Sequence, residues 1–213
     1  IMGNSDRFKI TITGSGGHAS MPHSTTDAII AGNQVVSALQ TIVSRNADPM
    51  KPAVVTVGRF DAGTKHNVIA ETAELEGTIR TQSDDTKELT KKRFFEIVEQ
   101  VTAAMGATVE IEFYDGYPAT VNDTEWAAQL KKSVNNLYGE EATPALLPSL
   151  AGEDFSRFLK EYPGVYYWLG TSVGEGQKPL HNPGFRLNED AFEYGITAMV
   201  HMAMDSLEKL AEE

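Results

Sequence analysis

Cysteine is absent from the 213 residues. No disulfide framework can form, and no thiolate is available to bind a metal. The lack fits a reducing compartment, and a cytoplasmic location is the expectation. No apolar run approaches the ~20 residues a membrane helix needs. The opening Ile1-Met2-Gly3-Asn4-Ser5-Asp6-Arg7 is polar and has no signal-peptide core, so no membrane partner is expected. Basic residues are scarce: 18 Lys and Arg stand against 30 Asp and Glu, a net charge of -12. That balance opposes a phosphate backbone, which needs a basic face, and an anionic membrane surface. No nucleic-acid partner is expected either. The chain begins on isoleucine rather than methionine, and a piece of something longer is expected.

What is present suffices for a proper core, with 41% apolar residues in one large domain or two small ones. Phe8, Ile10 and Ile12 alternate with Lys9, Thr11 and Thr13, the pattern of a half-buried strand. A glycine turn ends it, and Ser24 to Asp27 offer N-cap oxygens. Val35, Val36, Leu39, Ile42 and Val43 then fall on one face of a helix over 28–45. The valine-rich stretch 53–60 reads as a strand. Residues 68–81 alternate again as one strand. A helix follows, capped by Ser83 and Asp84 and expected to bury Phe94, Ile97, Val98, Val101 and Met105, with Gly106 at its end. Val109, Ile111 and Phe113 complete a β-α-β-β-α-β order over 7–115. That is the ferredoxin-like split βαβ plan, an α+β domain with two helices on one face of an antiparallel sheet.

Beyond residue 115 the texture changes. Asn122 or Asp123 caps a helix that ends at Gly139, and Glu153-Asp154-Phe155 opens a short one. Gly164 to Leu169 is apolar on both parities, which predicts a strand covered on both faces. A last helix starts near Asn188 and carries Phe192, Ile196, Met199, Val200 and Leu207 on its apolar face. One doubly covered strand needs neighbours that this segment does not supply. Its sheet is therefore expected to be completed from elsewhere.

Three polar clusters could do chemistry. His18 follows Gly14-Ser15-Gly16-Gly17, either as a solvated residue on a flexible turn or as a group held out toward a ligand. Asn67 precedes the strand that ends in Arg80, whose guanidinium suits a carboxylate; the alternative is a strand-edge arginine paired with a nearby glutamate. His181 sits between Pro179 and Pro183, where a neutral imidazole could bind a metal. One histidine is not a metal site, and His23, His66 and His201 make no ligand spacing with it. His201 reads as packing. Acidic Glu153 and Asp154 are explained equally well by a helix dipole.

Gly-Gly-His-Ala-Ser-Met-Pro-His, His-Asn-Val-Ile, Gly-Thr-Ile-Arg-Thr, Gly-Glu-Asp-Phe and Leu-His-Asn-Pro-Gly-Phe occur in that order. Together they resemble the metallohydrolase family of aminoacylases, hippurate hydrolase, indole-acetyl-amino-acid hydrolases and glutamate carboxypeptidases, nearest its N-acyl-amino-acid amidohydrolase branch. The resemblance covers essentially the whole chain. It implies that residues 7–115 are an inserted lid that dimerises and residues 116–213 the C-terminal part of an α/β catalytic domain. The N-terminal part, with the other metal ligands and the general-base glutamate, would lie outside this chain. The branch usually keeps a ligand cysteine there, and it commonly has Asn-Val-Ile-Pro where this chain has Ala70.

The resemblance implies two divalent metals, zinc or manganese, with His181 as one ligand. It makes His18 the lid histidine that reaches into the other protomer's site and binds the scissile carbonyl. Asn67 and Arg80 would hold the substrate's α-carboxylate, and Gly152-Glu153-Asp154 matches a loop of unassigned role. The implied substrate is an N-acyl amino acid or small peptide-like amide, cleaved by a metal-bound water. The rival reading is a non-catalytic dimerisation or small-ligand-binding module, and a nucleic-acid-binding ferredoxin-like domain is disfavoured by charge.

Overall fold

The structure, a computed structural model, describes residues 1–212. They form two compact units, residues 1–121 with 148–157 and residues 122–147 with 158–212.

The first unit is built on four long strands and two helices. Strand β1 (Ser5–Thr13) is followed by a short strand β2 (Gly17–His18) and helix α1 (Ala28–Thr41). Strands β3 (Ala53–Ala62), β4 (Val68–Ile69) and β5 (Thr72–Thr81) come next, then helix α2 (Asp84–Ala104) and strand β6 (Thr108–Tyr117). The main sheet runs β3-β5-β1-β6, and every pairing is antiparallel. That order is the ferredoxin-like one, as the alternation predicts. Phe8, Ile10, Ile12, Leu75 and Ile79 turn inward onto Val35, Leu39, Phe94 and Val98 of the helices. The other face carries charge, with Lys9 3.5 Å from Glu74 and Arg59 2.7 Å from Glu76.

Asp27 caps α1, its Oδ1 accepting from the Ile29 and Ile30 amides at 2.8 and 3.3 Å. The helix closes in a wide π turn over Ile42–Asn46, so helical backbone continues through Arg45 as expected. The stretch 68–81 is not one strand. Its first two residues pair with β2, and the main sheet takes it up only at Thr72. The break has a tertiary cause: Ala70 is buried, its carbonyl accepts from the Ala28 amide at 3.1 Å, and the Glu71 carbonyl accepts from Gly14 at 2.8 Å.

The second unit holds helices α3 (Thr124–Tyr138) and α5 (Ala191–Glu212); the boundary between units falls within α4 (Ser156–Glu161). Asp123 caps α3, accepting from the Glu125 and Trp126 amides at 2.9 Å each. Lys209 pairs with Glu125 and lies 4.8 Å from the Trp126 ring centre, while the Tyr138 and Tyr194 rings meet edge to face at 5.4 Å between centres. The start of α3 thus meets the end of α5, and the two run antiparallel. Residues 164–169 make no strand among the described residues. The Asn122 carboxamide takes the place of a strand neighbour, donating to the Tyr166 carbonyl and accepting from its amide at 2.9 Å each. On α5 the buried stripe is Ala191, Gly195, Ala198 and Met202, and the larger apolar residues face out. His201, expected to pack, is exposed. No helix among the described residues is long and apolar enough to cross a membrane.

Candidate functional site

His18 does not ride on a loose turn. The segment 14–18 is threaded between residues 25–26 and 69–71. Ser15 exchanges backbone hydrogen bonds with Thr26 at 2.9 and 3.2 Å, and its Oγ accepts from the Thr26 amide at 2.8 Å. A Cβ on Gly14 would stand 2.2 Å from the Thr26 carbonyl oxygen, and one on Gly17 would stand 2.5 Å from the Thr25 methyl. The glycines therefore serve close approach, not a left-handed backbone: neither has positive φ. His18 is held in place while its ring stays exposed. Its Nδ1 accepts from the Ser20 amide at 3.1 Å and lies 2.8 Å from the Ser20 Oγ.

The same ribbon brings in Asn67. His18 pairs with Val68 in register, and the Ala19 amide donates to the Asn67 carbonyl at 3.1 Å. Asn67 is exposed beside His18. Its proximity comes from long-range pairing and is invisible to local pattern.

Arg80 lies at the opposite end of β5. The strand from Thr72 to Arg80 spans roughly 26 Å at about 3.3 Å per residue. One protomer therefore cannot present Asn67 and Arg80 to one small molecule. Arg80 is half-buried, and no carboxylate pairs with it among the described residues. The expected alternative of a nearby glutamate partner is thus not what the fold provides. Gly152 lies alongside: a Cβ there would be 3.2 Å from the Arg80 Nη1 and 2.8 Å from the Ser5 Cβ.

The strand end that carries Arg80 is anchored. The Asn4 Oδ1 accepts from the Thr81 amide at 2.5 Å and from its Oγ1 at 2.9 Å, while the Asn4 Nδ2 donates to the Asp6 carboxylate at 2.7 Å. Asp6 is fully buried, accepts from the Gly116 amide at 2.9 Å and lies 3.3 Å from the Lys87 ammonium. Burial pulls the Lys87 ammonium down, but Asp6 and Asp115 outweigh it and leave the ammonium above its ordinary range.

His181 belongs to the second unit. It is exposed and has φ of 66°, the one non-glycine residue with positive φ among those described. Such a backbone costs about 1–3 kcal/mol and gathers at functional positions. The loop is held by Asn182, whose amide donates to the Pro179 carbonyl at 3.2 Å and whose Oδ1 accepts from Gly184 at 2.8 Å. No group of three or more His, Asp or Glu among the described residues could hold a metal ion. His181 supplies one imidazole, and these residues alone do not fit a metal centre. Sequence reasoning singled out all four residues. It did not single out Ser20, whose hydrogen bonds to the His18 ring the His-x-Ser spacing of a short turn could have signalled.

Residues 3–105 match the family described as the peptidase dimerisation domain. The chain is 38% identical over 191 residues to N-acetyl-L-cysteine deacetylase of Bacillus subtilis, covering 90% of this chain and 45% of that protein. It is 37% identical over 196 residues to N-acetyldiaminopimelate deacetylase of Brevibacillus brevis, covering 92% and 51%. Among solved structures it resembles a dinuclear metal-binding peptidase of the M20 family from Bacillus subtilis, with a TM-score of 0.79 and 30% identity over 98% of this chain and 51% of that one. The chain spans about half the length of the curated relatives it matches.

Proposed function

We propose that this chain, whose residues 3–105 match the peptidase dimerisation domain of the M20 family and which is similar to deacetylases and a dinuclear peptidase of that kind, is the substrate-positioning half of an enzyme that hydrolyses the amide bond of N-acyl amino acids. The observation that carries the reading is a half-buried arginine without a carboxylate, together with an exposed, immobilised histidine on the short β2–β4 ribbon that precedes the other end of the arginine's strand. Arg80 binds the substrate's α-carboxylate through its two-pronged fork. His18 donates to the scissile carbonyl oxygen as it gains charge, and Asn67 assists beside it. Divalent metals, zinc or manganese, take His181 as one ligand and the rest from residues outside this chain.

The separation of Arg80 from His18 makes a dimer part of the chemistry. Each site takes His18 and Asn67 from one protomer and Arg80 from the other. Strand β3 supports such an assembly, since it is a sheet edge with Val54 and Phe60 exposed. Ile29 of α1 adjoins it, 3.3 Å from where a Gly63 Cβ would stand. The outward apolar face of α5 seats the remainder of the catalytic domain.

Complementation in the whole protein tests this. His18→Ala and Arg80→Ala are each expected to lower kcat/KM by roughly 100-fold or more. Mixing and re-pairing the two inactive proteins should restore roughly a quarter of wild-type activity, because half of randomly paired dimers hold one intact site of two. No recovery in re-paired dimers would overturn the two-protomer site. For the 213 residues alone, the single imidazole favours the second reading, a dimerisation and ligand-holding module without turnover. The purified chain should bind zinc or manganese weakly and leave N-acyl amino acids intact.

A further inference from the structure

We propose that Ser20 is a positioning residue that fixes His18 in the Nε2–H tautomer and so aims that N–H at the substrate's carbonyl oxygen. The inference rests on the role given to His18 above. A backbone amide nitrogen can donate but not accept. With the Ser20 amide 3.1 Å from the His18 Nδ1, that ring nitrogen must present its lone pair. The neutral ring then carries its proton on Nε2. The Ser20 Oγ, 2.8 Å from the same nitrogen, adds a hydroxyl donor to it. Both donors come from one residue and hold the ring orientation as well as the proton.

Local backbone keeps Ser20 there. The Met21 amide donates to the His18 carbonyl at 2.8 Å, closing a turn that lays Ser20 over the imidazole. The pairing of His18 with Val68 and of Ala19 with Asn67 fixes the start of that turn. The tautomer is thus set inside one protomer, before any substrate or second protomer arrives. A ring with its proton on Nδ1 would face the Ser20 amide with a second proton and would offer a lone pair, not a donor, to a carbonyl.

Ring nitrogen NMR on the 15N-histidine chain reads this directly at alkaline pH, where imidazoles are neutral. The five histidines include His23 and His66, which are exposed and serve as internal standards. His18 is expected to show a fully lone-pair-bearing Nδ1 and a protonated Nε2, displaced from the averaged values of the standards. Ser20→Ala keeps the amide and loses the hydroxyl donor, so it should move the shifts part of the way toward them, and Ser20→Thr, which keeps the hydroxyl, should hold them. In the whole protein Ser20→Ala should lower kcat about 3- to 10-fold with KM unchanged, and Ser20→Thr should restore it. His18 shifts equal to those of the standards, or unmoved by Ser20→Ala, would overturn the proposal. If His18→Ala itself leaves kcat intact, the functional reading fails instead, while the NMR result still stands or falls alone.

Discussion

In the first unit the apolar side chains of four strands and two helices meet one another, with Phe8, Ile10, Leu39, Leu75 and Phe94 each no more than 2% exposed; in the second, Phe192, Ile196, Met199, Val200 and Leu207 of α5 are 47–66% exposed. The contrast is not one of composition, because both have helices with ample apolar content. It lies in who supplies the opposite surface. The first unit's sheet has two helices for its one apolar face and charge on the other. The α5 helix is apolar nearly all round, a pattern that calls for cover on more than one side, and α3 with its neighbours covers only the stripe of small residues. A patch of this kind marks an interaction surface. The first unit therefore covers its own apolar face, and the second leaves most of the large apolar side chains of α5 exposed.

The comparison is most easily broken in the first unit. Phe94 is fully buried and packs within 4.7–5.7 Å of Phe8, Phe95 and Phe113, measured between ring centres. Phe94→Ala should cost about 3–5 kcal/mol, read as a lowered urea midpoint for the unit's unfolding. A cost below about 1 kcal/mol would mean that this core is no better closed than α5.

The buried charge network should follow in size. Lys87→Met leaves Asp6 buried without its cation and should cost about 2–3 kcal/mol at neutral pH. The pH window follows from two neighbours. Lysine hydrogen bonds, from Lys91 first, hold Asp115 below its ordinary 3.8, so that contribution is present above pH 3.8 and is lost as pH falls through the lowered value. Lys87 is held above its ordinary 10.5, so its contribution is full below pH 10.5 and is lost as pH rises through the raised value. The gap between wild type and Lys87→Met should be widest between these limits and should narrow in strong base. A gap that persists unchanged at high pH would assign the effect to packing by the lysine stem.

Much of this was legible in the sequence, and the exceptions share a cause. Alternation at Phe8-Ile10-Ile12 and at Ala73-Leu75-Ile79 records a sheet with one buried face, so the β-α-β-β-α-β order could be read locally. The cut at Ala70 and Glu71 could not, because its cause is hydrogen bonding to Ala28 and Gly14 far away in sequence. Residues 164–169 look like a buried strand because apolar side chains alternate on both faces, yet their partners are the Asn122 carboxamide at Tyr166 and the Asp123 amide at Gly164, not a neighbouring strand. The candidate site residues could be named as residue types but not arranged as geometry. Motif order found His18, Asn67, Arg80 and His181, but only the fold sets Asn67 beside His18 and removes Arg80 to the other end of β5.

The smallest expected effect sharpens the comparison most. Ile196 and Leu207 are 66% and 65% exposed, so in this chain neither buries enough surface to matter for folding. Ile196→Ser with Leu207→Ser should change the unfolding free energy by no more than about 0.5 kcal/mol per site. The same pair should lower the binding of a dye that reports exposed apolar surface, since the patch itself is reduced. In the longer enzyme proposed above the expected effect reverses. If α5 is covered there by the rest of the catalytic domain, each serine removes a buried aliphatic side chain and should cost about 2–4 kcal/mol. Equal, small costs in both settings would leave the α5 face as ordinary surface, and the first and second units would then differ only in how tightly each is packed.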